Sequence, residues 1–178
     1  PFGGFGTAKR SSRRVNEAVT APPVERSTSR ESGGLTAGGE GKLEDLRKGR
    51  SMVLENDHTI ILGWSEQIFT VLHELIEANA NRRRPCIVVL ADHDKVKMED
   101  EIREKVPGMR NTRIVCRTGS PIDPVDLDIV NLHGARSIII LSPVSEDPDA
   151  EVIKTMLAIT NGPDRRAEPY HIVAEIHD

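Results

Sequence analysis

The feature that most limits how this chain can fold is the apolar run His58-Thr-Ile-Ile-Leu-Gly63, followed by Trp64-Ser65 and an amphipathic stretch from Glu66 to Asn79. Residues 58–63 read as a first strand that ends in a glycine turn. Beyond it Ile68, Val71, Leu72, Leu75 and Ile76 recur at spacings of three and four, the period of a helix with one buried face. A strand that delivers the chain to a helix N-terminus creates a place where free backbone N–H groups and the positive dipole end favour an anion. The dinucleotide fingerprint G-x-G-x-x-G is met only at its first position, by Gly63; Ser65 and Ile68 stand at the second and third.

The same alternation continues. Cys86 to Ala91 is unbroken apolar sequence, as expected of a strand covered on both faces of a parallel sheet. A charged helix is predicted over Lys95–Lys105, closed by Pro107-Gly108. Strands are predicted over Thr112–Cys116, Ala135–Leu141 and His171–Ile176, and helices over Val125–Leu132 and Ala150–Ile159. Strands and helices in strict succession imply right-handed crossovers, hence an α/β fold with a Rossmann-like, doubly wound parallel sheet. A sixth strand follows in a complete domain of that type. With proline at position 1, the chain is expected to be a piece of a longer protein.

The 178 residues suffice for one ordinary core and a tail. Residues 1–41 hold eight of the 14 glycines, Pro22-Pro23 and a Ser/Thr/Arg-rich stretch, and almost no apolar periodicity. Such a segment cannot offset its ordering entropy, so it is expected to be a disordered or non-native tail. A linker helix is expected over 42–54, its charged turns Lys42–Lys48 closed by Gly49, and the α/β domain over 55–178. Residues 1–50 carry ten Lys and Arg against six Asp and Glu, +4 of the formal total of −4, which leaves −8 for residues 51–178. An acidic globular part argues against nucleic acid, whose binding rests on clustered cations. Arg82-Arg83-Arg84 reads as a solvated loop. Cys86 and Cys116 lie in separate apolar runs and read as buried, reduced thiols. No apolar run is long enough for a membrane span.

In an open α/β sheet a ligand sits beyond the carboxyl ends of the strands where the connections diverge. Those ends supply Gly63, Trp64 and Ser65, then Asp92, then Thr118, Gly119 and Ser120 after strand three, and Ser142-Pro143 after strand four. Asp92 stands where an acid would accept hydrogen bonds from a ribose. Equally, Asp92 and Asp94 could form an Asx turn that caps the next helix. Ser65 could donate to a phosphate, though capping its helix is the plainer role. Trp64 could stack on a base, lie over the crevice or pack against another subunit. Glu146, Asp147, Asp149 and Glu151 form an oxygen-rich cluster of the kind calcium favours, or complement the dipole at a helix start. The six histidines show no zinc or nucleophile spacing and read as surface or strand-edge residues. No catalytic residue is named, and the chain is read as a non-enzyme.

Lys42-Leu-Glu-Asp-Leu-Arg-Lys-Gly-Arg-Ser51, His58-Thr-Ile-Ile-Leu-Gly-Trp-Ser65, Val88-Val-Leu-Ala-Asp92 and Cys116-Arg-Thr-Gly-Ser-Pro121 together resemble the cytosolic region of CASTOR/POLLUX-type ion channels, relatives of the RCK and TrkA-N regulatory domains. The resemblance covers about residues 42–178. It implies the N-terminal lobe of an RCK domain, on the cytoplasmic face of the membrane in the parent channel and soluble as a chain of its own. Residues 42–51 would follow the last pore helix, the pore lying in the same chain or a separate one. It also implies a homo-oligomeric gating ring biased by NAD, another nucleotide or calcium. Two other functions compete: an NAD(P)-dependent oxidoreductase fragment, and a free-standing nucleotide-sensing subunit of a potassium-uptake system.

Overall fold

The computed structural model describes residues 49–162 and 165–177. The tail at 1–41 and the helix expected over 42–48 lie outside the described residues. Residues 49–54, assigned above to the end of a linker helix, are irregular, with Gly49 in a turn at φ 71°.

Five strands, β1 (His58–Leu62), β2 (Cys86–Ala91), β3 (Arg113–Thr118), β4 (Ala135–Ile140) and β5 (Ile172–Ala174), form one sheet in the order β3-β2-β1-β4-β5. Every pairing is parallel. The helices are α1 (Gln67–Ala78), α2 (Lys95–Lys105), α3 (Pro124–Ile129) and α4 (Pro148–Thr160). The strand order steps outward from β1 in one direction and then from β4 in the other. Alternate residues of each strand therefore feed two separate cores. Ile61, Ile87 and Val89 pack with Ile68, Leu72, Met98 and Ile102 of α1 and α2. Ile60, Leu62, Val88 and Leu90 pack with Leu127 of α3 and Val152 and Ile159 of α4. All five residues of β1 and all six of β2 are buried, which is why their sequences are apolar without alternation.

Local chemistry accounts for where the elements differ from expectation. The helix expected over Val125–Leu132 stops at Ile129, because Asn131 adopts a left-handed conformation at φ 53°; a 3-10 turn, Leu132–Gly134, completes the connection. Asn131 holds that bend by donating from its side chain to the Glu55 carbonyl at 2.9 Å. Strand β5 is only three residues long. His58, expected at the surface or a strand edge, is buried at 1% exposure and its Nε2 donates to the Val130 carbonyl at 2.9 Å. It opens the central strand, so no edge is available to it.

Candidate functional site

At the carboxyl ends of the strands lies a crevice of about 480 Å³. Its floor is the β1 turn with Leu62, Gly63 and Trp64. Asp92 and His93 after β2 form one side, and Ser120, Pro121 and Ile122 after β3 extend it. Leu141, Pro143 and Val144 after β4, with Glu151, Lys154 and Thr155 of α4, close the other side. It sits where the chain connections diverge, the place such sheets reserve for ligands.

Gly63 makes the turn possible. Its φ is 96°, and a Cβ there would lie 3.0 Å from the Leu141 carbonyl oxygen. Trp64 follows, its ring stacked on the His93 imidazole with centroids 5.5 Å apart and planes 10° from parallel. Phe69 of α1 meets the same indole edge-on at 5.8 Å. Lys105 Nζ lies 4.2 Å from the Phe69 ring centroid, so the aromatic group is braced from α2 as well.

Helix α1 starts at Gln67, and Glu66, its N-cap residue, makes no side-chain cap. Ser65, whose plainer role was capping, does not cap: the Ile68 N–H turns back to the Ser65 carbonyl at 3.1 Å, and Ser65 Oγ is buried without a hydrogen-bond partner. The acids after β2 separate cleanly. Asp94 caps α2, accepting from the Lys97 N–H at 3.0 Å. Asp92 takes no part in that cap and stands exposed at the crevice, its carboxylate available to a ligand.

Gly63, Trp64, Asp92 and Ser120 are thus brought to one crevice. Ser65 and Gly119 are not among its lining residues. Gly119 is close to Asp126, whose Cγ would be 2.8 Å from a Cβ at that position. Asp126 is a residue that sequence reasoning missed. It is 5% exposed, accepts from the Ser120 N–H at 2.8 Å and pairs with Arg50 at 2.5 Å. The available signal was an acid in the first turn of a Pro-started helix, which reads as a dipole complement until the fold turns it toward the Gly-Ser loop. His93 and Lys154 were missed too.

The acidic cluster does not converge. Asp147 caps α4 through the Ala150 N–H at 3.2 Å, Asp149 accepts from the His177 N–H at 3.0 Å, and Glu151 faces the crevice. Among the described residues no group of three or more His, Cys, Asp or Glu is placed to hold a metal ion. Two of the four carboxylates thus serve helix capping and the anchoring of the chain after β5. The two thiols lie on opposite faces of the sheet. Burial pushes Cys86 up to about 11 and Cys116 to about 12, from 9.0. Burial also lowers Arg117, which donates from Nε to the Ser51 carbonyl at 2.6 Å.

Residues 54–168 match the model of the calcium-activated potassium channel slowpoke-like RCK domain. The chain belongs to this RCK domain family. It is 37% identical over 139 residues to the probable ion channel CASTOR of Oryza sativa subsp. japonica, a match covering 77% of this chain and 15% of that protein. The ion channel CASTOR of Lotus japonicus is also 37% identical over 139 residues, covering 77% and 16%. The probable ion channel POLLUX of Arabidopsis thaliana is 36% identical over 138 residues, covering 76% and 16%. The chain therefore spans a small part of the length of the relatives it matches. Among solved structures, the GsuK RCK domain is similar at 20% identity and a TM-score of 0.46, over 76% of this chain and 25% of that one. The GsuK channel bound to NAD is similar at 18% identity and a TM-score of 0.47, over 76% and 21%. Among the described residues no helix is long and apolar enough to cross a membrane.

Proposed function

We propose that this RCK lobe is the non-enzymatic, ligand-sensing and gating part of a CASTOR/POLLUX-like cation channel, on the cytoplasmic face of the membrane, and that its crevice takes a nucleotide. The observation that carries the ligand reading is the division of labour after β2: Asp94 caps the helix, which leaves the Asp92 carboxylate free at the crevice. The residues fit the group. Asp92 would accept hydrogen bonds from ribose hydroxyls, and the backbone N–H groups at the uncapped start of α1 would face phosphate. The Trp64–His93 stack would flank the base. Ser65 narrows the pyrophosphate approach that a glycine would leave open, so NAD and a mononucleotide are both candidates. Binding does work on a channel only through a difference in affinity between two subunit arrangements. Ile153 and Leu157 lie one turn apart on α4 and are half exposed, and a ring of subunits would cover them.

The test is a thermal-melt panel on the chain with NAD, NADH, ATP, calcium and EDTA, because a ligand that prefers the native state raises its stability by mass action. The expected result is an upward shift with a nucleotide that is smaller in Asp92→Ala at the same ligand concentration. No nucleotide shift, or one indifferent to Asp92→Ala, overturns the reading. A calcium shift reversed by EDTA would move the ligand site to the acids of α4.

A further inference from the structure

The segment that enters the domain, Gly49 to Val53, runs along β3, the outer strand of the sheet, beginning at the crevice end. The Gly49 carbonyl accepts from the Thr118 N–H at 3.2 Å, Ser51 from Arg117 Nε at 2.6 Å, and the Val53 N–H donates to the Ile129 carbonyl at 2.7 Å. These three bonds hold the segment against β3 and α3 and would suffice for a merely structural role. Arg50 goes further. Its guanidinium reaches Asp126 Oδ1 at 2.5 Å, while Oδ2 of the same carboxylate accepts from the Ser120 N–H at 2.8 Å. Ser120, with Pro121 and Ile122, is a wall of the crevice. The carboxylate is 7% exposed and the Arg50 side chain 50% exposed, so one buried acid joins a surface cation to the ligand wall. The loop has a second fastening on the same side of the crevice, where Thr118 Oγ1 donates to the carbonyl of His93, the residue stacked on Trp64, at 2.9 Å.

We infer that Asp126 is a positioning residue that ties the crevice wall to the entering segment: one oxygen fixes Ser120, the other fixes Arg50, so crevice occupancy and the placement of Gly49–Val53 bias each other. The tie itself needs no ligand; its use by a nucleotide rests on the function proposed above. A buried carboxylate that loses its cation keeps an uncompensated charge, so it turns toward water and releases its hold on the Ser120 N–H.

Amide hydrogen exchange on the whole chain reads this directly. Arg50→Ala removes a half-exposed side chain and leaves both cores intact. It is expected to speed exchange over residues 118–123 about tenfold, with the amides of β1 and β2 unchanged. Arg50→Lys, which keeps the charge, should stay within about threefold of wild type. Arg50→Ala combined with Asp126→Asn should exchange no faster there than Asp126→Asn alone, as expected for two groups acting through one interaction. Arg113→Ala removes a cation paired with Glu55 farther along the same segment and should leave 118–123 unmoved. Unchanged exchange over 118–123 in Arg50→Ala, or an equal rise in Arg113→Ala, overturns the tie. With NAD as the probe, exchange over 49–53 should slow in wild type. If NAD binds, as read by Trp64 fluorescence, and 49–53 does not slow, the coupling is wrong and the nucleotide reading stands. If NAD, NADH and ATP all fail to bind while Arg50→Ala still loosens 118–123, the tie stands and the nucleotide reading falls.

Discussion

Replacing Gly63 with alanine tests whether the turn at the base of the crevice depends on glycine for two separable reasons. The first is backbone conformation: at φ 96° an L-residue costs roughly 1–2 kcal/mol. The second is contact, since the new Cβ would lie 3.0 Å from the Leu141 carbonyl oxygen. That carbonyl cannot retreat freely, because the Leu141 N–H donates to the Leu62 carbonyl at 2.9 Å and continues the β1–β4 ladder. Gly108 supplies the control. Its φ is 80° and a Cβ there meets nothing within 4 Å, so Gly108→Ala isolates the backbone term at roughly 1–2 kcal/mol. Gly63→Ala is expected to cost about 2–3 kcal/mol, and about 1 kcal/mol more than Gly108→Ala. Urea unfolding followed by far-ultraviolet circular dichroism compares the two without depending on the neighbouring Trp64. With a slope of about 2 kcal/mol/M for a chain of this size, the midpoints should separate by roughly 0.5 M at unchanged slope. Coincident midpoints would refute the contact argument, and a Gly63→Ala midpoint equal to wild type would refute both terms.

Asp94→Ala should lower stability by about 1 kcal/mol through loss of the α2 cap, while Asp92→Ala leaves the melting temperature near wild type; equal losses in the two variants would reassign the cap. Ile60→Ala, in the middle of the wholly buried central strand, should cost about 3–4 kcal/mol in the same urea assay, and a loss below about 1 kcal/mol would contradict the packing. Because Cys86 and Cys116 hold their protons more tightly folded, at about 11 and 12, than at the ordinary value of 9.0, the unfolded chain loses protons first as pH rises. Stability should therefore be unaffected by the thiols below about pH 8.5, fall from about pH 9 upward, and fall less steeply in Cys116→Ala after correction for the cavity. A melting temperature constant from pH 8 to pH 10.5 would contradict that sign.

The sheet was legible because burial on both faces forces continuous apolar strands, and Cys86–Ala91 could hardly be read otherwise. The helix of 95–105 was legible from its breaker, Pro107-Gly108. What escaped was decided by single side chains acting across the fold. Asn131 ends α3 by bonding to a carbonyl 76 residues earlier, which no local pattern announces. His58 is polar by type yet is buried because its strand is central. At the site, the β-strand ends named Gly63, Trp64, Asp92 and Ser120 correctly as neighbours of one crevice. Asp126 was invisible, since its partners lie 6 and 76 residues away. For the acids after β4 a dense local charge pattern does not fix direction: two of them, Asp147 and Asp149, accept from backbone N–H groups.

Trp64, the only tryptophan, stands at the crevice and reports on it without a label. The most direct measurement is its fluorescence during titration with NAD and ATP, in wild type and in Asp92→Ala. The account predicts a saturable change with at least one nucleotide and an affinity about tenfold weaker in Asp92→Ala, the equivalent of one charged hydrogen bond. No change with either nucleotide, or identical curves for the two proteins, would contradict a nucleotide site at the ends of these strands.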